Sequence, residues 1–205
     1  MTDRFADLRK VPPHPAARLL AQANMKLDAQ LTSPASAPVP VVLAELDALD
    51  AKPDVLKLLA VALPPRETIW WACLAARDVV GAAPAALPRT LQAAEAWVFR
   101  PGDDTRAAAE TAAELADMDD PSVSCAMAAV YAAGTLGTAD RNAYPVSPEI
   151  LPLLVVKQVA ASLSANSARF EDHFRLVVDR ALDIARGGNG QVAPPAPEQR
   201  SEKEA

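Results

Sequence analysis

Pro64-Pro65-Arg66-Glu67-Thr68-Ile69-Trp70-Trp71-Ala72-Cys73-Leu74-Ala75-Ala76-Arg77-Asp78 sets two of the chain's three tryptophans side by side. Aromatic residues make up only 4% of the sequence, so wherever large rings gather they dominate packing or recognition. The double proline ends one helix and opens the next, because proline lacks an N–H and its fixed φ suits a first helical turn. Gly81 is a natural helix stop. A helix is therefore expected from Pro65 to Val80. On a wheel of about 100° per residue, Arg66, Trp70, Cys73 and Arg77 share one sector, with Leu74 beside them. Glu67, Trp71 and Asp78 share the next. The far side carries Thr68, Ala72, Ala75, Ala76 and Val79, flat enough for a neighbouring helix to approach closely.

The rest of the chain repeats this idiom. Half of its residues are hydrophobic, and much of that half is alanine, the strongest helix former and a poor strand former. No segment alternates with period two for long enough to be a strand. Helices are expected over 15–31, 41–50, 54–63, 65–80, 88–99, 104–118, 121–133, 147–163 and 167–186. Asp54 sits where its charge suits a helix N-terminus. Asp103 or Asp104 and Asp120 stand at N-cap positions, and Ser147 precedes Pro148 in the same way. Arg106, Glu110 and Glu114 follow one another at four-residue spacing along a polar edge. Phe170, Phe174, Val177, Val178, Ala181, Leu182 and Ala185 form the most regular apolar face in the chain. The expected class is all-α: about eight helices in antiparallel pairs, as a compact bundle or a short solenoid-like stack.

Three regions follow. Residues 1–40 read as an N-terminal helix and a linker, since Thr32–Pro40 holds three prolines and such segments run extended over a surface. Residues 41–187 read as the helical core. Residues 188–205 read as a disordered polar tail after Arg186-Gly187-Gly188-Asn189-Gly190, which is a helix stop with a flexible exit.

Charge and motif content narrow the function. The net charge is −6, and no basic run exists to neutralise phosphates, so neither nucleic acid nor an anionic membrane is an expected partner. Met1–Lys10 is charged throughout, and the longest apolar stretch, Ile150–Val156, is far too short for a bilayer. A cytoplasmic protein is expected. Cys73 and Cys125 lie in apolar helices and are read as buried thiols more readily than as a disulfide. His14 and His173 are far apart, leaving little material for a metal site or a Ser-His-Asp relay. His173 reads as part of a solvated face. No nucleophile elbow, phosphate-cradling loop or metal-protease signature is present. Asp103-Asp104 and Asp119-Asp120 are read as caps. No enzymatic activity, cofactor or metal is expected.

Trp70 and Trp71 admit two readings. In one they are the bulky centre around which small-residue helices pack, with Arg66 and Arg77 stacked on or covering them. In the other, Arg66, Trp70, Trp71 and Arg77 form a binding edge, since tryptophan and arginine are favoured at hot spots. A buried Arg77 would need a carboxylate, and Glu95 is the lone acid of the following helix. The alanine background favours the packing reading and leaves the Arg66–Trp70–Arg77 edge as the candidate site.

The order Pro65-Arg66-Glu67-x-x-Trp70-Trp71-Ala72-Cys73-Leu74-Ala75-Ala76-Arg77, followed by Ala94-Glu95-Ala96-Trp97-Val98, resembles a family of bacterial proteins known only as a domain of unknown function. The Ala-Met-Ala-Ala stretch ending in Gly134 and the closing Asp183-Ile184-Ala185-Arg186-Gly187 fit the same pattern. The resemblance spans about Pro64 to Gly187. It implies a non-enzymatic accessory, adaptor or chaperone-like protein of type VI secretion gene clusters, with an effector or spike component as partner. It brings no catalytic residues. The alternative function is a helical module that binds a small apolar ligand in a pocket under the tryptophans.

Overall fold

Prolines precede four of the helices, and left-handed residues close α1, α2 and α9. A computed structural model describes residues 4–81, 87–137, 141 and 143–192. Within these residues the elements are α1 (Ala16–Gln22), α2 (Val39–Ala48), α3 (Lys52–Ala62), α4 (Pro65–Val80), α5 (Arg89–Phe99), α6 (Asp103–Glu114), α7 (Val123–Tyr131), α8 (Ile150–Ala165) and α9 (Phe170–Arg186), with a 3₁₀ turn at Ser167–Arg169. Pro15, Pro38, Pro64 and Pro88 occupy the N-cap positions of α1, α2, α4 and α5. No strand occurs among the described residues, whose β-bridges are isolated.

The expected first helix, 15–31, stops nine residues early. Asn24 takes φ 49°; its N–H bonds to the Ala21 carbonyl and that of Met25 to the Leu20 carbonyl. This is a Schellman closure with asparagine in the left-handed position. Met25 then buries beside Leu20, and Leu27 and Leu31 pack on the core from a loop rather than from a helix. Asp50, at φ 53°, ends α2 by the same pair of bonds, to Asp47 and Leu46. α6 also ends early, at Glu114 rather than Met118. Its N-cap is Gly102, not an aspartate, and the N-cap of α7 is Ser122 rather than Asp120.

α4 is the axis of the fold and touches α3, α5, α7, α8 and α9. Contacts with helices that lie about a hundred residues later decide between the two expected architectures. A solenoid repeat touches only its neighbours, so this is a bundle.

Residues 4–40 do not stand apart. Phe5, Leu8, Leu19, Leu20 and Met25 belong to the same buried cluster as Trp71 and Leu182. The segment before α2 is pinned by acids. Asp54 accepts the N–H groups of Asp28 and Ala29 at 2.8 and 2.7 Å. Glu45 accepts the Thr32 and Ser33 N–H groups and the Thr32 hydroxyl. The Ser33 side chain, then the Thr32 hydroxyl and the backbone N–H groups, lower the Glu45 pKa to about 2. Burial alone would raise the Asp54 pKa, but bonds from Lys57, Ala29 and Asp28 outweigh it and the carboxyl lies below its usual value.

The exit from α9 is held as well. Gly190 is buried at φ 72°, its N–H donates to Asp183 at 2.8 Å, and a Cβ there would lie 2.7 Å from Leu74. The flexible exit expected at 187–190 is instead a fitted strap; residues 193–205 lie outside those described. No single helix among the described residues is long and apolar enough to cross a membrane.

Candidate functional site

The two tryptophans part company. Trp71 is 0% exposed, and its Nε1–H donates to the Val177 carbonyl of α9 at 2.8 Å. Trp70, one position and about 100° further round, is only partly buried. Its Nε1–H donates to the Asn189 carbonyl at 2.7 Å, so the strap after α9 covers one of its edges. Its ring meets Phe99 at 5.6 Å between centroids, tilted by 58°, and Phe99 is 68% exposed.

The expected stacking of arginines on Trp70 gives way to hydrogen bonds. Arg66 is exposed and donates from Nε to the Val98 carbonyl at 2.6 Å. Arg77 grips Glu95 with two prongs, Nε to Oε1 at 2.7 Å and Nη2 to Oε2 at 2.8 Å. Cation–π contacts among the described residues fall elsewhere, at Phe5 and Phe174. Arg77 thus has the partner expected from sequence, but its side chain is 44% exposed, whereas that of Glu95 is 11% exposed. The hydrogen bond to Glu95 raises the Arg77 pKa further. Arg77→Ala should cost about 1–3 kcal/mol, the worth of hydrogen bonds to a charged group left behind, and leave the protein folded. A thermal melt checks this; an unfolded or aggregated variant at room temperature would contradict it.

Beneath the same helix lies a polar cluster that the sequence reading missed. Asp78 of α4 accepts two bonds from Arg180 of α9, at 2.6 and 3.0 Å, and one from the Ser162 hydroxyl of α8 at 3.0 Å. The Ser162 oxygen lies 2.7 Å from His173 Nε2, which is 3.4 Å from Asp78. The expected solvated face at His173 is corrected: the residue is 8% exposed and Ser162 is 0%. Glu171 and Asp172 turn away to Lys52 and Arg169. The single Ser162 proton goes to Asp78, which leaves the Ser162 oxygen to accept from His173 Nε2. Burial lowers the His173 pKa, Asp78 opposes that, and Arg180 and Arg169 reinforce it.

Three residues named serine, histidine and aspartate do not make a nucleophile relay here. A relay has the carboxylate on one ring nitrogen and the hydroxyl on the other. In this cluster Asp78 and Ser162 crowd the same nitrogen, and the hydroxyl is sealed from solvent. The cluster is a three-helix clamp.

Elsewhere, buried chemistry is also structural. Cys73 and Cys125 are free, fully buried thiols; a hydrogen bond between them, then burial, pushes the Cys73 thiol well up, away from the reactive thiolate. The expected polar edge of α6 is split: Arg106 and Glu110 are buried, and Glu114 is exposed. Arg106 is 3% exposed and donates to the Thr135 hydroxyl and the Gly137 carbonyl, while Glu110 pairs with Arg141. Asp120 accepts from Ser122 and Thr90. Among the described residues no three His, Cys, Asp or Glu side chains are grouped to hold a metal ion.

Two of the concavities among the described residues bear on function. A groove of about 1120 Å³ runs between α5 and α6, lined by Arg89, Ala93, Ala96, Ala108, Ala112 and Leu115. An apolar slot of about 310 Å³ lies between α3, α8 and α9 under Phe170 and Phe174; no pocket was expected there from sequence.

A family model matches residues 42–185, well over half of the chain. The chain belongs to the family of unknown function DUF6931. The match begins in α2 and ends one residue short of the α9 terminus, so the DUF6931 region holds the tryptophan helix, the clamp and both concavities. It excludes Phe5, Leu8 and the Asn189–Gly190 strap that covers one edge of Trp70. No curated protein and no solved structure matches the chain.

Proposed function

We propose that this DUF6931 protein is a non-enzymatic accessory protein that binds another protein through the Arg66–Trp70–Phe99–Arg77 edge. One observation carries the reading. Trp70 and the largely exposed Phe99 form an aromatic pair at the surface, flanked by two exposed guanidiniums, the residue types over-represented in binding hot spots. Both arginines are held by hydrogen bonds, so little side-chain freedom is lost when a partner docks. The resemblance of the tryptophan motif to proteins of type VI secretion clusters supports a bacterial secretion setting, with an effector or spike component as the partner.

A photoreactive residue placed at position 99 should cross-link one protein in the native bacterium. Phe99→Asp and Arg66→Glu should each abolish capture without moving the melting temperature by more than about 2 °C, as expected for surface sites. Capture lost in Ala108→Trp but retained in Phe99→Asp would move the partner to the α5–α6 groove and refute the edge.

A second reading, a module for a small apolar ligand, is favoured by the slot under Phe170 and Phe174. Its volume lies at the lower end of the range of ligand pockets, about 300–1,000 Å³.

A further inference from the structure

The α3–α8–α9 slot is apolar along its walls and carries one charge at its mouth. Leu56 of α3, Val156 and Leu163 of α8, and Phe170 and Phe174 of α9 supply the walls. The two phenyl rings lie nearly parallel, 18° apart with centroids at 6.4 Å, and make a flat slab against the α8 face. Among the described residues that line the slot, Lys52 alone is ionisable. Its ammonium stands 5.7 Å from the centre of the Phe174 ring, at the boundary between wall and solvent.

The remaining contacts of Lys52 leave room for an exchange. Its ammonium donates to Asp50, whose side chain is 79% exposed. Glu171 reaches it only at 3.4 Å, from a side chain 63% exposed, and so can swing into water at small cost, since exposed pairs contribute about 0–1 kcal/mol. The hydrogen bond that Lys52 donates to Asp50 raises the Lys52 pKa, which keeps the ammonium charged at neutral pH.

We infer that this slot binds a medium-length acyl carboxylate, with its chain against the phenyl slab and its carboxylate on the Lys52 ammonium in place of Glu171. The inference deepens the second reading above by giving the ligand a charge and an orientation. Apolar walls stabilise the chain by removing it from water, and the single cation at the mouth fixes which end faces out.

Decanoate and the uncharged decanol, each kept below its aggregation limit, are the probes, titrated into the full chain with calorimetry and ligand-observed NMR. Decanoate should bind, and decanol about tenfold more weakly, the scale of one charge-assisted hydrogen bond. Lys52→Gln should weaken decanoate about tenfold and leave decanol unchanged, whereas Glu171→Gln should tighten decanoate about threefold by removing the competitor. Ala160→Trp, at an exposed position lining the slot, should block both probes while circular dichroism reports a folded protein. Equal binding of the two probes, or decanoate binding indifferent to Lys52→Gln, would overturn the acyl carboxylate while leaving an apolar ligand standing. Failure of both probes would overturn both, as would a protein dimer that Ala160→Trp dissociates, because a second copy would then fill the slot.

Discussion

Trp71→Ala is expected to lower stability by about 3–5 kcal/mol, the range for deleting a large buried aromatic. Small domains hold only about 5–15 kcal/mol in total, so much of the folded population is at risk. The indole is 0% exposed and sits on the helix that touches five others, so its removal opens a void where α4 meets α9. Small neighbours such as Ala72, Ala75 and Ala76 have no side-chain length to reach across and refill it. Trp71→Phe separates the two parts of the effect. It keeps much of the ring but removes the indole bond to the Val177 carbonyl, which retains its helical donor in α9, and the lost bond should cost about 0.5–1.5 kcal/mol. Denaturant unfolding followed by circular dichroism checks the series. Trp70→Ala, at a partly open site, should cost clearly less; equal losses at the two positions would refute their division into core and edge.

The second large effect is expected at Asp78. Its side chain and that of Arg180 are 16% and 14% exposed, and Asp78→Ala strands a nearly buried guanidinium together with the Ser162 hydroxyl. Breaking such a pair costs about 3 kcal/mol, the lower end of the range for buried ion pairs. The clamp also carries a pH signature through His173. Its folded pKa lies below the usual 6.5, so below about pH 6.5 the unfolded chain takes up the proton first. The clamp's contribution is therefore complete above that pH and declines on acidification. The charged groups that face the ring are Asp78 from α4, Arg180 from α9 and Arg169 from the 3₁₀ turn; α8 contributes the neutral Ser162. Asp78→Ala removes the one attraction for a proton and should steepen the acid loss. His173→Gln should flatten it relative to the natural chain between about pH 5 and 7, the span of a histidine titration. An unchanged slope in His173→Gln would show that the ring is not the titrating group.

Local signals made α4 legible to its end residues, because proline and glycine bracket it and Gly81 takes φ 97°. The apolar face of α9 was legible from its spacing. α1 was overdrawn because Leu27 and Leu31 keep helical spacing after the chain has already turned at Asn24. The core needs those leucines whether a helix or a loop delivers them. The Arg77–Glu95 pair was legible because Glu95 is the lone acid in the next helix, yet exposure decides which partner is stranded, and that depends on how α5 lies on α4. The clamp was hidden for a different reason. Asp78 is 84 residues from Ser162 and 102 from Arg180, whereas Glu171 and Asp172 sit beside His173 in sequence and draw attention to themselves. One signal existed: His173, Val177 and Arg180 fall at i, i+4 and i+7, on the stripe that the helix buries.

The N-terminal segment closes against the far end of the chain. Lys10 N–H donates to the Ala185 carbonyl at 2.8 Å, Arg4 pairs with Asp179, and Arg186 reaches back to the carbonyls of Ala6 and Arg4. On the ribosome, this segment is made before α9 and must therefore wait for it. Phe5, Leu8 and Trp71 remain without their final partners until α9 emerges, and at about 5–20 residues per second that delay is on the order of ten seconds or more. During it the nascent chain exposes the apolar surface it will later enclose, and the completion of α9 becomes the event that commits the molecule to its fold.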